Sequence, residues 1–343
     1  MSNKSIKKIM IAESGAAIST TLSSSSRQFL ENTLAQATKR GYAADLKIFF
    51  SLGSEAHQTA AIPATAETIA NFLADQASGI LSVWLRQESQ LINGRPVSVA
   101  TLRRRLAAIK YAHKLNKIEP SPTDTAEVRE TLKGIRRTLG AKPNAKSALM
   151  SQDIQLLIKY IPETITGQRD RAILLLGFAG ALRRSELTSL ELSDIEVQEN
   201  GMLVYIRSSK TDQEQQGQVI GIARSENKAN CPVGAIEQWL QSSMILSGPI
   251  FRRIFANGKI AITTLSDRTI YNIVKNYCQL AGLDASRFGA HSLRRGFVTS
   301  AAKAKVDPFR IMAVTRHKRL ETVKRYVDEA NLISDYPGAD LLK

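Results

Sequence analysis

Only two cysteines, Cys231 and Cys278, occur among the 343 residues. That is too few for a disulfide framework or a cysteine-rich zinc site, and it fits a reducing cytoplasm. No stretch approaches the roughly 20 consecutive apolar residues that a spanning helix needs, so a soluble protein is expected. Early lysines resemble the start of a secretory signal, but the apolar run there extends only from Ile9 to Ala12 before Glu13 interrupts it. No signal peptide is expected. Three common catalytic signatures are also missing, since the chain has no G-x-x-x-x-G-K-[ST], no H-E-x-x-H and no G-x-S-x-G. Aromatic residues are sparse, at 6%.

Positive charge is what the chain has in excess. Lys and Arg number 47 against 31 Asp and Glu, a formal net charge of +16. A surplus of that size on a globular body implies a polyanionic partner, nucleic acid first and anionic membrane as the rival. Hydrophobic residues at 43% and charged residues at 23% are ordinary globular usage and exclude a wholly disordered or collagen-like chain. The length suits two domains.

Residues 1–25 are rich in Ser, Thr, Ala and Lys without an apolar period, and read as a flexible tail. Residues 26–139 carry helical spacing: Tyr42, Leu46, Phe49 and Phe50 on one face, Ile69, Phe72 and Leu73 after the candidate cap Thr65. Two further helices follow. Ser98 can cap one with the stripe Leu102, Leu106 and Ile109, and Thr125 another with Val128, Leu132 and Ile135. This half is expected to be all-α. At 100° per residue, Arg103 and Arg104 face away from the Leu102 stripe and Arg105 lies at its flank. An isolated run of that kind is often a solvated face. Here twelve Lys or Arg stand against four acidic residues between Ser98 and Lys146, so Arg103, Arg104 and Arg105 are expected to follow a phosphate backbone.

Residues 140–148 combine Gly, Pro and lysines without apolar spacing and read as a linker to a second domain, 149–343. There Gln168 to Leu182 is apolar nearly all round, as in a helix buried in a core. Met202 to Arg207 and Gln218 to Ile222 are strand-like and predict a small antiparallel sheet, with the polar segment Ser208 to Gly217 between them. Helical spacing returns from Arg268 to Ala281 and continues to the C-terminus.

Three constellations carry chemistry. In Gly180-Ala181-Leu182-Arg183-Arg184-Ser185-Glu186-Leu187, Arg183 and Glu186 stand at i and i+3, where a carboxylate can hold a guanidinium whose other donors face a ligand. Taken alone, a structural ion pair explains them as well. In His291-Ser292-Leu293-Arg294, the same spacing presents an imidazole beside a guanidinium fork. His317 and Tyr326 would lie on opposite faces of one continuous helix, so they converge only if the chain turns between them, near Lys318-Arg319. Two arginines, two histidines and a tyrosine without an acidic metal cluster suit phosphoryl transfer to a tyrosine hydroxyl, with guanidiniums neutralising the non-bridging oxygens.

In these residues the chain resembles the tyrosine recombinase (phage integrase) family, which includes Cre. The family pattern is an arginine in R-x-x-E-L, a lysine in a β-turn, H-x-x-R, a second His or Trp, and a tyrosine nine residues later. The resemblance implies a mainly α fold with a small antiparallel sheet: an all-α core-binding (SAM-like) domain followed by a mixed α/β catalytic domain. It carries the first arginine onto Arg183, supported by Glu186, rather than onto Arg184. It likewise carries the turn lysine onto Lys210 in Ser208-Ser209-Lys210-Thr211, and the remaining roles onto His291, Arg294, His317 and Tyr326. Arg316 stands where many members have Gly, and its added charge is expected to reach a phosphate.

The implied activity is site-specific recombination of double-stranded DNA through a 3′-phosphotyrosyl link and a Holliday junction, by a tetramer, with no cofactor, metal or ATP. In that scheme Tyr326 attacks, Arg183 and Arg294 clamp the phosphoryl oxygens, and His317 adds a hydrogen bond. Lys210 protonates the leaving 5′-oxygen and His291 manages the tyrosine proton. A cytoplasmic, nucleoid-associated protein encoded by a bacterium, phage or plasmid is implied as well. Two alternatives share the residues: a type IB topoisomerase-like enzyme, and a DNA-binding regulator with idle catalysis.

Overall fold

The structure, a computed structural model, describes residues 34–56, 62–84, 89–93, 95–140, 146–207 and 217–331. The tail expected over residues 1–25 lies outside them. The chain divides into two units, Met1–Asn144 and Ala145–Lys343.

In the first unit the four expected helices are present: α1 Gln36–Ala56, α2 Ala66–Ser78, α3 Val99–Leu115 and α4 Ala126–Leu139. Their apolar stripes meet in one core containing Leu46, Phe49, Ile69, Phe72, Leu102, Ile109 and Val128. Phe49 meets Phe72 edge to face at 5.0 Å, a favoured aromatic geometry. Thr65 and Ser98 cap α2 and α3, each accepting a backbone N–H three residues on. His113, fully buried, accepts the Ala64 N–H at Nε2 (3.1 Å), so its Nδ1 carries the proton donated to the Ile109 carbonyl (2.9 Å). That neutral tautomer pins the entry of α2 to α3.

This unit is not all-α as expected. Strands β1 Ile80–Trp84 and β2 Ser89–Asn93 pair antiparallel, Leu81 opposite Ile92. Each is only five residues long, too short for a periodicity that separates strand from helix.

The second unit opens with α5 Ser151–Lys159, α6 Ile165–Ala179 and α7 Arg184–Ser189. Strands β3 Ile195–Gln198, β4 Gly201–Ile206 and β5 Gln218–Ala223 form an antiparallel sheet with Val204 opposite Ile220. Then come α8 Pro232–Ser243, a second antiparallel pair β6 Arg252–Ile254 and β7 Ile260–Thr264, and α9 Asp267–Leu280. The chain closes with α10 His291–Lys303, α11 Pro308–Thr315 and α12 Leu320–Asn331. The predicted β4 and β5 are present; β3, β6 and β7 were not anticipated. In β4, Met202, Val204 and Ile206 are buried, the period-two pattern of a sheet with one wet face.

The all-round apolar helix α6 packs against α8 and α10, with Leu174 and Leu176 fully buried. A satellite cluster of Val298, Ile311 and Val323 joins α10, α11 and α12. The segment before α5 is lashed to α10 and to the turn that precedes it: Leu149 N–H donates to Ser292 O (3.0 Å) and Ser147 N–H to Arg287 O (2.8 Å). This approach requires Gly296, because a Cβ there would lie 1.6 Å from the Leu149 carbonyl oxygen.

Gly296→Ala is therefore expected to force backbone apart, costing about 3 kcal/mol and lowering Tm by roughly 6–12 °C. Gly134 in α4 has nothing within 4 Å of its would-be Cβ. Gly134→Ala should accordingly gain about 0.5–1 kcal/mol. Thermal denaturation of the two variants checks the pair; a neutral Gly296→Ala would contradict the close approach.

Candidate active site

The buried helix α6 ends in a turn whose Ala181 sits in the left-handed region (φ 45°), unusual for a residue with a Cβ. The chain then enters α7 through Arg183, its N-cap. Glu186 is 2% exposed. Its Oε2 accepts the Arg183 backbone N–H (2.8 Å) and its Oε1 accepts Arg183 Nη1 (2.6 Å). Arg184 faces elsewhere, exposed, and reaches Asp267 at the start of α9 (3.1 Å). The expected pairing of Arg183 with Glu186 is present, and the two adjacent arginines are separated in space.

Helix α10 starts at His291, which remains solvent-accessible, while Arg294 one turn on is buried. Arg294 Nη1 donates to the Ala181 carbonyl (2.7 Å) and Nη2 to the Thr315 carbonyl. The third constellation follows. Helix α11 stops at Thr315 and α12 begins at Leu320, so the chain does turn between His317 and Tyr326. His317 Nδ1 lies 2.9 Å from the Thr315 hydroxyl. Tyr326 is half-buried against the satellite cluster, with the guanidiniums of Arg295 (5.6 Å) and Arg325 (5.7 Å) over its ring. Among the described residues no hydrogen bond engages its hydroxyl.

These groups feel one another's charge. Burial, then the positive charges of Arg183 and Arg316, press the Arg294 pKa down, with Glu186 and Tyr326 opposing. The guanidinium nonetheless stays charged at neutral pH. Desolvation lowers the His291 pKa, helped by Arg294, Arg295 and Arg183. Burial and the cations Arg294, Arg183 and Arg316, with His291, pull His317 down to about 4. Burial alone would raise the Glu186 pKa, but Arg316 and the Arg183 N–H and guanidinium outweigh it and hold the carboxyl low. The result is a cluster of guanidiniums beside two imidazoles whose pKa values are both lowered.

Arg316 is placed differently from expectation. It caps α11 in the left-handed conformation (φ 59°) and its guanidinium turns inward, 5% exposed, to Glu186 Oε2 (2.8 Å). It also donates to the carbonyls of Val314 (2.8 Å), Gly180 (3.2 Å) and Ala181 (3.3 Å). The sequence suggested a group reaching outward to phosphate. The buried carboxylate holds it instead, in a charge-assisted hydrogen bond. Thr315 was also missed, because a lone threonine carries no spacing signal.

Lys210 lies outside the described residues. Arg103, Arg104 and Arg105 belong to the first unit, on α3. Arg103 is exposed. Arg104 holds Asp45, itself 1% exposed, through Nε (2.9 Å) and Nη2 (3.0 Å), and Arg105 approaches the same carboxylate at 3.7 Å. Among the described residues no three or more His, Cys, Asp or Glu gather, and no helix is long and apolar enough to cross a membrane.

The depressed His317 pKa has a testable sign. An unfolded histidine titrates near 6.5. Between that value and about 4 the unfolded chain binds a proton that the folded chain refuses. Stability from this group is thus present above about pH 6.5 and lost as pH falls toward 4. Nitrogen-15 NMR of the free protein should place the His317 midpoint near 4, and His317→Gln should flatten this part of the Tm-versus-pH curve. A midpoint of 6 or higher would contradict the cationic surroundings.

Comparison with known proteins identifies the family. Residues 147–332 match the phage integrase family. An integrase/recombinase XerD homolog of Selenomonas ruminantium is 35% identical over 317 residues, spanning 92% of this chain and 88% of that protein. A tyrosine recombinase of Synechococcus elongatus is 26% identical over 322 residues, spanning 88% of each. Among solved structures, the XerH site-specific recombinase bound to palindromic difH substrate shares the fold, with TM-score 0.61 and 17% identity over 89% of this chain and 80% of that one. A lambda integrase dimer bound to a COC′ core site gives TM-score 0.56 at 14% identity, covering 88% of this chain and 75% of that one. The match over more than half its length, together with the relative at 35% identity, means that this chain belongs to the phage integrase family, the tyrosine recombinases.

Proposed function

We propose that the protein is a site-specific DNA recombinase that cuts and rejoins double-stranded DNA through a phosphotyrosyl intermediate. The observation carrying this reading is the gathering of Arg183, Arg294, His291 and His317 within electrostatic reach of one another, with Arg294 also feeling Tyr326. The Tyr326 oxygen would attack the scissile phosphorus while the bond to the 5′-oxygen breaks, leaving a 3′-phosphotyrosyl link and a free 5′-hydroxyl. Attack by a 5′-hydroxyl of the partner duplex reverses the chemistry, conserves the number of phosphodiester bonds and passes through a Holliday junction. Four protomers on two sites supply the cleavages.

Arg183 and Arg294 suit the non-bridging oxygens, because a guanidinium presents fixed paired donors and their positions are set before substrate arrives. A neutral His317 adds a hydrogen bond to the same oxygens. Its low pKa keeps a second proton off the ring at neutral pH. His291, neutral and accessible, can take the tyrosine proton. Lys210 is proposed as the donor to the leaving 5′-oxygen. With charge stabilisation carried by arginines, cleavage should not require a divalent ion. Relatives named XerC and XerD tyrosine recombinases support the same activity.

Sequencing DNA that copurifies with the protein would identify the site, and a nicked duplex of that sequence would trap the adduct. Wild type should form a denaturant-resistant protein–DNA band in excess EDTA. Tyr326→Phe should bind equally and form none. An adduct that survives in Tyr326→Phe, or maps to Tyr336, would overturn the assignment; strict dependence on Mg²⁺ would favour nuclease chemistry.

For the first unit, Arg103→Ala should weaken specific and random DNA about equally and lower the log–log salt slope by about 0.9 per lost phosphate contact. Arg104→Ala should in addition destabilise the unit by about 1–2 kcal/mol, since Asp45 loses its two-pronged partner. Salt-dependent binding isotherms and thermal melts check both, and an unchanged slope for Arg103→Ala would return that residue to a solvated face.

A further inference from the structure

Arg316 has no role in the chemistry proposed above, yet its guanidinium makes four hydrogen bonds of a kind a surface arginine does not make. Its guanidinium binds Glu186 and the carbonyls of Gly180, Ala181 and Val314, and its backbone adopts a left-handed conformation that disfavours any side chain beyond glycine. Three of those partners lie on the α6–α7 connection and its continuation, the stretch that presents Arg183. Arg316 itself precedes His317. One side chain therefore clasps the turn carrying the first arginine to the turn carrying the second histidine.

We propose that Arg316 is a positioning residue, which clasps the turn that presents Arg183 to the turn that presents His317 by holding one oxygen of Glu186 together with the Gly180 and Ala181 carbonyls. The geometry gives the reason. Glu186 Oε2 already receives the Arg183 backbone N–H and Arg316 Nη2, and Oε1 receives Arg183 Nη1. Without Arg316, Glu186 Oε2 and the Gly180 carbonyl each lose a donor, and Arg294 is left to bridge the two turns through the carbonyls of Ala181 and Thr315. Charge follows the same logic. Arg183, Arg294 and Arg316 against Glu186 leave a surplus of two positive charges, whereas loss of Arg316 leaves one. The groups facing His317 are Arg294, Arg183, Arg316 and His291, so that loss also removes one of the cations that keep its ring neutral.

This inference rests on the phosphoryl-transfer reading, and orthovanadate, a mimic of the five-coordinate phosphoryl group, tests the two separately. Calorimetry on the full chain should show vanadate binding by wild type; absence of binding removes the phosphoryl-transfer reading itself. Arg316→Gly suits the left-handed backbone and should fold. It should bind vanadate at least tenfold more weakly and move the His317 midpoint upward by half a unit or more in nitrogen-15 NMR. Arg316→Lys, which keeps the charge but not the fork, should restore the His317 midpoint and only part of the affinity. Glu186→Gln combined with Arg316→Gly should cost less than the product of the two single effects, because both act through one carboxylate. Arg316→Gly with unchanged affinity and an unchanged His317 midpoint overturns the proposal, as does multiplicative behaviour in the double variant. The NMR arm decides the clasp even where vanadate fails to bind.

Discussion

A single buried carboxylate is the constraint on which the catalytic unit depends. Glu186 receives three donors from two arginines, one of which arrives from a different part of the chain. Burying a carboxylate costs several kcal/mol unless its oxygens are hydrogen-bonded and its charge is matched, and here both conditions are met. The arrangement goes further than neutralisation. Two guanidiniums share one negative charge and Arg294 adds a third positive group beside them, so the free protein holds unbalanced cations close together. In the proposed function a phosphate would complete this charge balance.

The same contacts account for two strained positions. Ala181 and Arg316 both adopt left-handed backbone, at about 1–2 kcal/mol each, and both sit where the two loops meet. The Ala181 carbonyl accepts from Arg294 and Arg316 together. A relaxed turn at residue 181 would carry that carbonyl away from both guanidiniums. Strain and hydrogen bonding are therefore coupled: the turn is held in shape by arginines that depend on that shape for their own position. On the other side, Gly296 lets α10 approach the Leu149 backbone closely enough to fix the helix that carries His291 and Arg294.

In the first unit an arginine run faces a similar division between fold and ligand. Asp45 is buried and engages Arg104 and Arg105, whereas Arg103 makes no ion pair among the described residues. Charge counted along the sequence thus overstates what a polyanion can meet, since part of it neutralises the protein's own carboxylates.

Much of this was legible in the chain itself. Helical spacing located α1 to α4 and the buried α6, because an apolar stripe repeats every three or four residues over several turns. The spacing of Arg183 with Glu186 and of His291 with Arg294 gave local geometry that a helix or its cap imposes, and the nine residues from His317 to Tyr326 demanded a turn. Short strands such as β1, β3 and β6 were not legible, because three to five residues hold too little pattern and their pairing depends on distant partners. Nor was the direction of Arg316, which sequence alone sends toward solvent and phosphate. Sequence determined the residue types and every relation within a few positions. The tertiary structure decided which oxygen each guanidinium takes, because Glu186 and Arg316 are 130 positions apart and meet only when the packing of α6 and α10 brings their turns together.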